Sequence, residues 1–437
     1  MLGGINGSVV FLCCSSPLNS IMSMTFTTIA KTLNVVPACA RRRPASFGRT
    51  RSRRKRGVGL AAAILCTGLL HNEAGGEPVT PASPERSQHL VSSKTLAPSI
   101  RPGLVEFRIG NKWQSGLHLI ESQDESLVIG RDGWLHTISR TEKSESMRSV
   151  TGKFLPTTSV ELRNQLRAEF GREFEVIATQ NFLVVQPRGR GSRWPKMFEQ
   201  CHRSFVNYME RRGVKVREGR FPMVAVVLPD ARAMYDEIAR LGIDVSRVAG
   251  LYANKCNRVM THDGGALSSI AATVRHEAAH QSAFNCGVHS RVNDTPSWVT
   301  EGIGQMFEPT AMSSGRSGTR LVERVNKDSV RQLRETIDMD DPAEVARWVD
   351  RMIRSDDLFR NPTTIHTAYA LAWSMMFYLA ERDTDAFADI LNFTATRPPF
   401  ETYRSGQRMI DFERVVGSDV RDFSNRLTRF VADLPAK

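Results

Sequence analysis

His276-Glu277-Ala278-Ala279-His280 decides how the rest of this chain is read. Positions four apart share one face of an α-helix, so the two imidazoles can grip one metal ion together. Glu277 lies about 100° around the helix from His276. From there its carboxylate reaches a metal-activated water without taking a ligand position, the role of the Glu in an H-E-x-x-H helix. Average residue usage produces this pattern by chance in roughly one chain per hundred of this length, so the flanking sequence has to support it.

The flanks do so. Ser268 to Phe284 predicts a helix, because Ile270, Val274 and Ala278 recur at helical spacing and no Gly or Pro interrupts them. Ser268 or Ser269 is the expected N-cap, and Gly287 is the expected left-handed residue past the end. A catalytic zinc site needs a third protein ligand and an open position. The pattern H-E-x-x-H-x-x-G-x-x-H would require Gly at 283 and His at 286, where the chain has Ala283 and Cys286. His289 comes three residues too late and reads as a loop histidine.

A glutamate on a following helix fits better, also better than Cys286. In Thr295-Pro296-Ser297-Trp298-Val299-Thr300-Glu301-Gly302-Ile303-Gly304-Gln305-Met306-Phe307-Glu308, Pro296 suits the first turn, with Thr295 or Asp294 as cap. Trp298, Val299, Ile303 and Met306 form an apolar stripe around Glu301. A lone carboxylate there is costly to bury unless it is paired or bound to metal. Glu308, seven residues on, shares the same face and is the rival. The spacing favours Glu301.

These residues resemble the gluzincin metallopeptidases, whose third zinc ligand is the Glu of a W-x-x-E-G helix. More narrowly, the chain is similar to the peptidase-MA-like domains of bacterial exported proteins. Their H-E-x-x-H-Q is matched by His276 through Gln281, their P-x-W-x-x-E-G by Pro296 through Gly302, and their aromatic-Glu pair by Phe307-Glu308. The resemblance covers roughly residues 170 to 435 and is specific between about 274 and 309. It implies Zn2+ held by His276, His280 and Glu301, Glu277 as general base, and a peptide or protein as substrate. An edge strand, expected over Tyr252 to Thr261, would hold that peptide by main-chain hydrogen bonds. Tyr369, in the helix that starts near His366, is the candidate to stabilise an oxyanion. Its spacing with Trp373, Met376 and Leu379 is more often that of a core face, and His366 is the second choice. The chain departs from the family at Gln305. Many gluzincins carry an acidic residue there, which accepts the distal N–H of a ligating His. Changes of that kind cost about tenfold to a hundredfold in metal affinity or activity.

The formal charge of +13 invites a nucleic-acid partner, but its distribution argues against one. The first 76 residues hold +9, leaving +4 for the rest. The basic run ending at Arg56 precedes an apolar stretch over 57–70 and then the small residues Ala74, Gly75 and Gly76. That order reads as an export signal, too short for a comfortable membrane span. The expected location is therefore exported, periplasmic or extracellular, with membrane contact only through an uncleaved signal. Seven cysteines, four of them in the leader, leave three, which cannot build a disulfide scaffold.

The fold expected is α+β: a zincin-like catalytic domain (small mixed sheet, H-E-x-x-H helix, helical C-terminal subdomain) preceded by a small all-β SH3-like unit. The divisions are a leader over 1–76, a linker over 77–100, the β unit over 101–145, the zincin-like subdomain over 165–310 and the helical subdomain over 311–437. Strands over Val105–Ile109, Gly116–Ile120, Ser126–Ile129 and Trp134–Ile138, with an Asp132-Gly133 turn, make up the β unit. A zinc-dependent peptidase is the leading expectation. A catalytically silent binding protein on the same fold and a zinc hydrolase of a non-peptide amide or ester are the alternatives.

Overall fold

Among the described residues ten strands form two five-stranded sheets, and the H-E-x-x-H segment lies on a helix packed against the second of them. In the computed structural model the described residues are 99–435, except 123, 140, 244–247, 265–266 and 315–319. The export signal expected over 1–76 lies outside them, as does almost all of the linker expected over 77–100. Among the described residues no helix is long and apolar enough to cross a membrane. The architecture is α+β.

The first sheet comprises β1 (Ser99–Ile109), β2 (Lys112–Glu121), β3 (Glu125–Gly130), β4 (Leu135–Ser139) and β5 (Met147–Ser149). Their order is β4-β3-β2-β1-β5, every pair antiparallel. It thus extends past both ends of the span expected for the β unit. Asp132-Gly133 forms the β3–β4 turn: Gly133 sits at φ +87°, and Asp132 Oδ1 accepts from Trp134 N–H at 3.1 Å. Val105, Phe107, Val128 and Ile138 make its small core.

The second sheet comprises β6 (Phe174–Ala178), β7 (Phe182–Pro187), β8 (Met223–Leu228), β9 (Gly250–Ala253) and β10 (Arg258–His262). The order is β6-β7-β8-β10-β9, with β7, β8 and β10 parallel and the outer pairs antiparallel. The parallel centre is buried on both faces, which explains the unbroken apolar run Met223-Val-Ala-Val-Val-Leu228. The edge strand expected over Tyr252 to Thr261 is two strands, and only β9 is the edge. The turn between them has no Gly or Pro to announce it. Asn257 takes φ +57°, a conformation Asn tolerates.

Helix Leu267–Asn285, here the histidine helix, packs on β9 and β10. Gly250 permits this approach, since a Cβ there would stand 2.7 Å from Thr273 Cγ2. The helix begins at Leu267, and the cap expected at Ser268 or Ser269 falls on side chains outside those described. Gly287, just past its end, has φ +76° as expected.

The glutamate helix, Ser297–Phe307, is buried from Trp298 to its end. Pro296 is its N-cap residue, and neither Thr295 nor Asp294 caps it. Asp356 Oδ1 instead accepts from Ser297 N–H at 2.9 Å, and Arg408 holds Asp356 with two bonds of 3.0 Å. Asp294 accepts from Tyr403 N–H at 2.9 Å. The long helix Ile365–Arg382 lies behind the glutamate helix and is buried almost throughout. The largest apolar cluster runs from Phe205 to Leu434, so it crosses residue 310 without a break. Cys201, Cys256 and Cys286 are buried and unpaired.

Candidate metal centre

The histidine and glutamate helices bring three donor groups together. His276 Nε2 and His280 Nε2 are 3.0 Å apart. Glu301 Oε2 lies 3.4 Å from the first and 3.6 Å from the second. Donor atoms sharing one tetrahedral ion at about 2.0–2.1 Å stand roughly 3.3 Å apart, so the spacing fits. All three residues are buried, and they form a group able to hold a metal ion.

Gly304 provides the space. A Cβ at that position would stand 2.6 Å from His276 Nε2 and 2.8 Å from His280 Nε2. Gly302 faces the other way: its Cβ would be 2.6 Å from the Ala372 carbonyl oxygen and 2.5 Å from Met376 Cγ. Two positions apart on a helix is about 200°. The two glycines therefore let one helix lie close to the histidines and to the long helix at once.

The charges set the protonation of the metal-free site. Burial opposes a charged His276, but hydrogen bonds to Glu301 and Glu308 overcome it and push the imidazole up to about 10. Burial likewise works against an ionised Glu301, yet His280 and His276 hold it down at about 2. Glu277 is pushed up, first by burial and also by the Glu301 charge, against the pull of His276, His280 and the Tyr252 N–H. That N–H, on edge strand β9, donates to Glu277 Oε2 at 2.7 Å.

Glu308 supports the group from behind. Its Oε1 lies 3.0 Å from His276 Nδ1, on the far side of the ring from Nε2. A carboxylate there fixes the tautomer and the ring orientation. Gln305 Nε2 donates to the same oxygen at 2.8 Å, and Asn326 Nδ2 donates to Glu308 Oε2 at 3.0 Å. So the acidic partner expected at 305 is supplied by Glu308, and Gln305 braces it.

Gln281, directly after the motif, donates to the carbonyls of Val224 and Asn257 at 3.0 and 2.8 Å. This pins the helix to β8 and to the turn before β10. Tyr369 is buried, its ring centroid 6.5 Å from that of His276 and 5.4 Å from that of Phe359. His366, one turn earlier, is half-buried. His289 is in a loop, as expected, but it is buried near His280 and Glu301.

A family model described as a protein of unknown function (DUF1570) matches residues 270–401. That span runs from the histidine helix through Tyr369 and past the long helix. No curated protein matches the chain.

Three contributors were not singled out from the sequence. Gly304 carried a signal, since a glycine inside a buried helix costs about 1 kcal/mol relative to alanine and calls for a reason. Asn326 and Asp356 carried none, because each reaches its partner through tertiary structure alone.

Proposed function

We propose that this chain is a zinc-dependent peptidase of gluzincin type, with a zincin-like catalytic domain over β6–β10 and the helices around it. The observation that carries the reading is the donor triangle of His276, His280 and Glu301, 3.0–3.6 Å on its sides, with Glu277 on the same helix. Those three residues would hold the ion, in a position only a glycine at 304 leaves open. Bound there, zinc supplies a Lewis acid that lowers the pKa of a water to about 7.

With an ion held there, Glu277 would be the group to accept a proton from that water and pass it to the leaving amine. Burial raises its carboxyl above the usual range, which makes it a stronger base for that proton. The bond from Tyr252 N–H keeps one carboxylate oxygen at the edge strand, so the base and the strand act as one unit. An extended peptide adds to β9 by main-chain pairing. Tyr369, beside His276, is the donor we assign to the oxyanion. The first sheet is read as an SH3-like unit, and the apolar stretch over 57–70 as the signal for export.

The test is zinc content and cleavage of casein or a peptide library by the purified protein, beside a Glu277→Gln variant. Stoichiometric zinc with turnover well above the variant supports the reading. Zinc without turnover above Glu277→Gln removes the enzyme and leaves a binding protein. Absence of zinc removes the site.

A further inference from the structure

We propose that His289 is a positioning residue for His280, holding its Nδ1 through one buried water. The inference rests on the metal site proposed above. It does not depend on what that site hydrolyses.

A ligating histidine uses one ring nitrogen for the ion and hands its other N–H to an acceptor. His276 follows this rule with Glu308. His280 also turns Nε2 toward the donor group, so its Nδ1 carries the hydrogen. That nitrogen is buried and has no hydrogen-bond partner among the described residues. A buried donor left without an acceptor is costly. Thr300, on the glutamate helix beside Glu301, gives its hydroxyl to the Ser297 carbonyl at 3.2 Å.

Two more nitrogens nearly share this condition. Nδ1 and Nε2 of His289 are buried, and apart from the Val288 carbonyl beside the ring neither has a hydrogen-bond partner among the described residues; the residue is 2% exposed. The fold brings it to His280 by local means. After Gly287 turns the chain, His289 N–H donates to the Ala283 carbonyl at 3.0 Å, folding the loop back along the histidine helix. Its ring then packs 5.4 Å from Phe284, which lies one turn beyond His280 on the same helix face. The ring lies near His280 and Glu301, and a neutral imidazole there offers one N–H and one acceptor nitrogen.

A buried water needs two to four polar partners. His280 Nδ1–H donates to its oxygen, and one of its hydrogens goes to the acceptor nitrogen of His289. The chain thereby does for its second histidine with a neutral relay what Glu308 does for the first with a charge.

The experiment measures zinc affinity by chelator competition in the full chain, with thermal unfolding of the zinc-free protein. His289→Leu fills the volume without a polar atom, and His289→Gln restores an amide at similar reach. We expect His289→Leu to weaken zinc about 10- to 100-fold, as loss of an outer hydrogen bond to a ligand does. The zinc-free protein should unfold close to the wild-type temperature, because leucine fills the buried volume while His280 Nδ1 loses its relay. His289→Gln should bind close to wild type. A packing role would move the unfolding and spare the affinity. Wild-type affinity in His289→Leu, or His289→Gln as weak as His289→Leu, overturns the proposal. His289→Ala is the second non-bonding variant should leucine prevent folding. Zinc bound without peptide cleavage would sink the peptidase and leave this test standing. A wild-type chain that takes no zinc would sink both.

Discussion

Gly304→Ala should empty the metal site while the chain stays folded. The added methyl would stand 2.6 Å from His276 Nε2 and Cε1 and 2.8 Å from His280 Nε2. Ordinary contact is about 3.5 Å, so the rings and the methyl must separate by roughly 0.9 Å. The glutamate helix cannot supply that movement. On its opposite side Gly302 already sits where a Cβ would be 2.6 Å from the Ala372 carbonyl oxygen. The histidines must move instead, by several times the ±0.2 Å that a metal–ligand distance tolerates. We expect zinc affinity to fall by more than about 100-fold, or about 2.7 kcal/mol. Stability should change far less. Glycine to alanine in a helix gains about 1 kcal/mol, and the overpacking costs about 1–3 kcal/mol. Chelator competition gives the affinity, and circular dichroism with thermal unfolding of the zinc-free protein gives the fold. Wild-type zinc affinity in a folded Gly304→Ala variant would refute the account of this glycine and put the donor triangle itself in question.

Other expectations follow from the same contacts. Glu308→Ala removes the acceptor for His276 Nδ1, and zinc affinity should drop about 10- to 100-fold; Glu308→Gln, which keeps an acceptor without the charge, should fall in between. In the zinc-free protein His276 is raised from the usual 6.5 to about 10 by Glu301 and Glu308, against burial. Its stabilising contribution is therefore complete below about pH 6.5 and lost as pH rises through 10. Zinc-free unfolding temperature should decline over that window more in wild type than in His276→Gln. Zinc uptake at pH 8 should release a proton, visible by calorimetry in buffers of different protonation enthalpy. Gln281→Ala deprives the carbonyls of Val224 and Asn257 of their side-chain donor, and should cost about 1–3 kcal/mol with zinc stoichiometry unchanged. Loss of zinc without loss of stability there would refute the pinning role.

What could be read from the sequence was what depends on local periodicity. The histidine helix was expected over 268–284 and spans Leu267–Asn285, because i, i+4 spacing needs no partner element. Glu301 was favoured over Glu308 because a lone carboxylate in an apolar stripe demands a partner, and the structure brings its Oε2 to both histidines. The errors lie where tertiary contacts decide. Thr295 and Asp294 are good capping types, yet Asp356, 59 residues from Ser297, does the work. The turn before β10 hides behind Asn257, which takes φ +57° without a glycine. His289 looked ordinary because a loop folding back onto its own helix has no period to detect.

The departure at Gln305 raised the prospect of a weakened site, and the contacts around it answer that concern. The acidic partner of His276 is present three residues later, and Gln305 holds it by a 2.8 Å bond. A carboxylate at 305 would instead stand against Glu308, two like charges in a half-buried space. The glutamine is thus the residue type that a carboxylate at 308 calls for. Burial points the same way. His276, His280, Glu277 and Glu301 are each at most 1% exposed, and ionisable groups taken that far from water are costly unless they pair or bind a metal. Gly304 lets the glutamate helix lie against both imidazoles, where a Cβ would stand 2.6 and 2.8 Å from their Nε2 atoms, and under the proposed reading the same glycine keeps the ion's position clear.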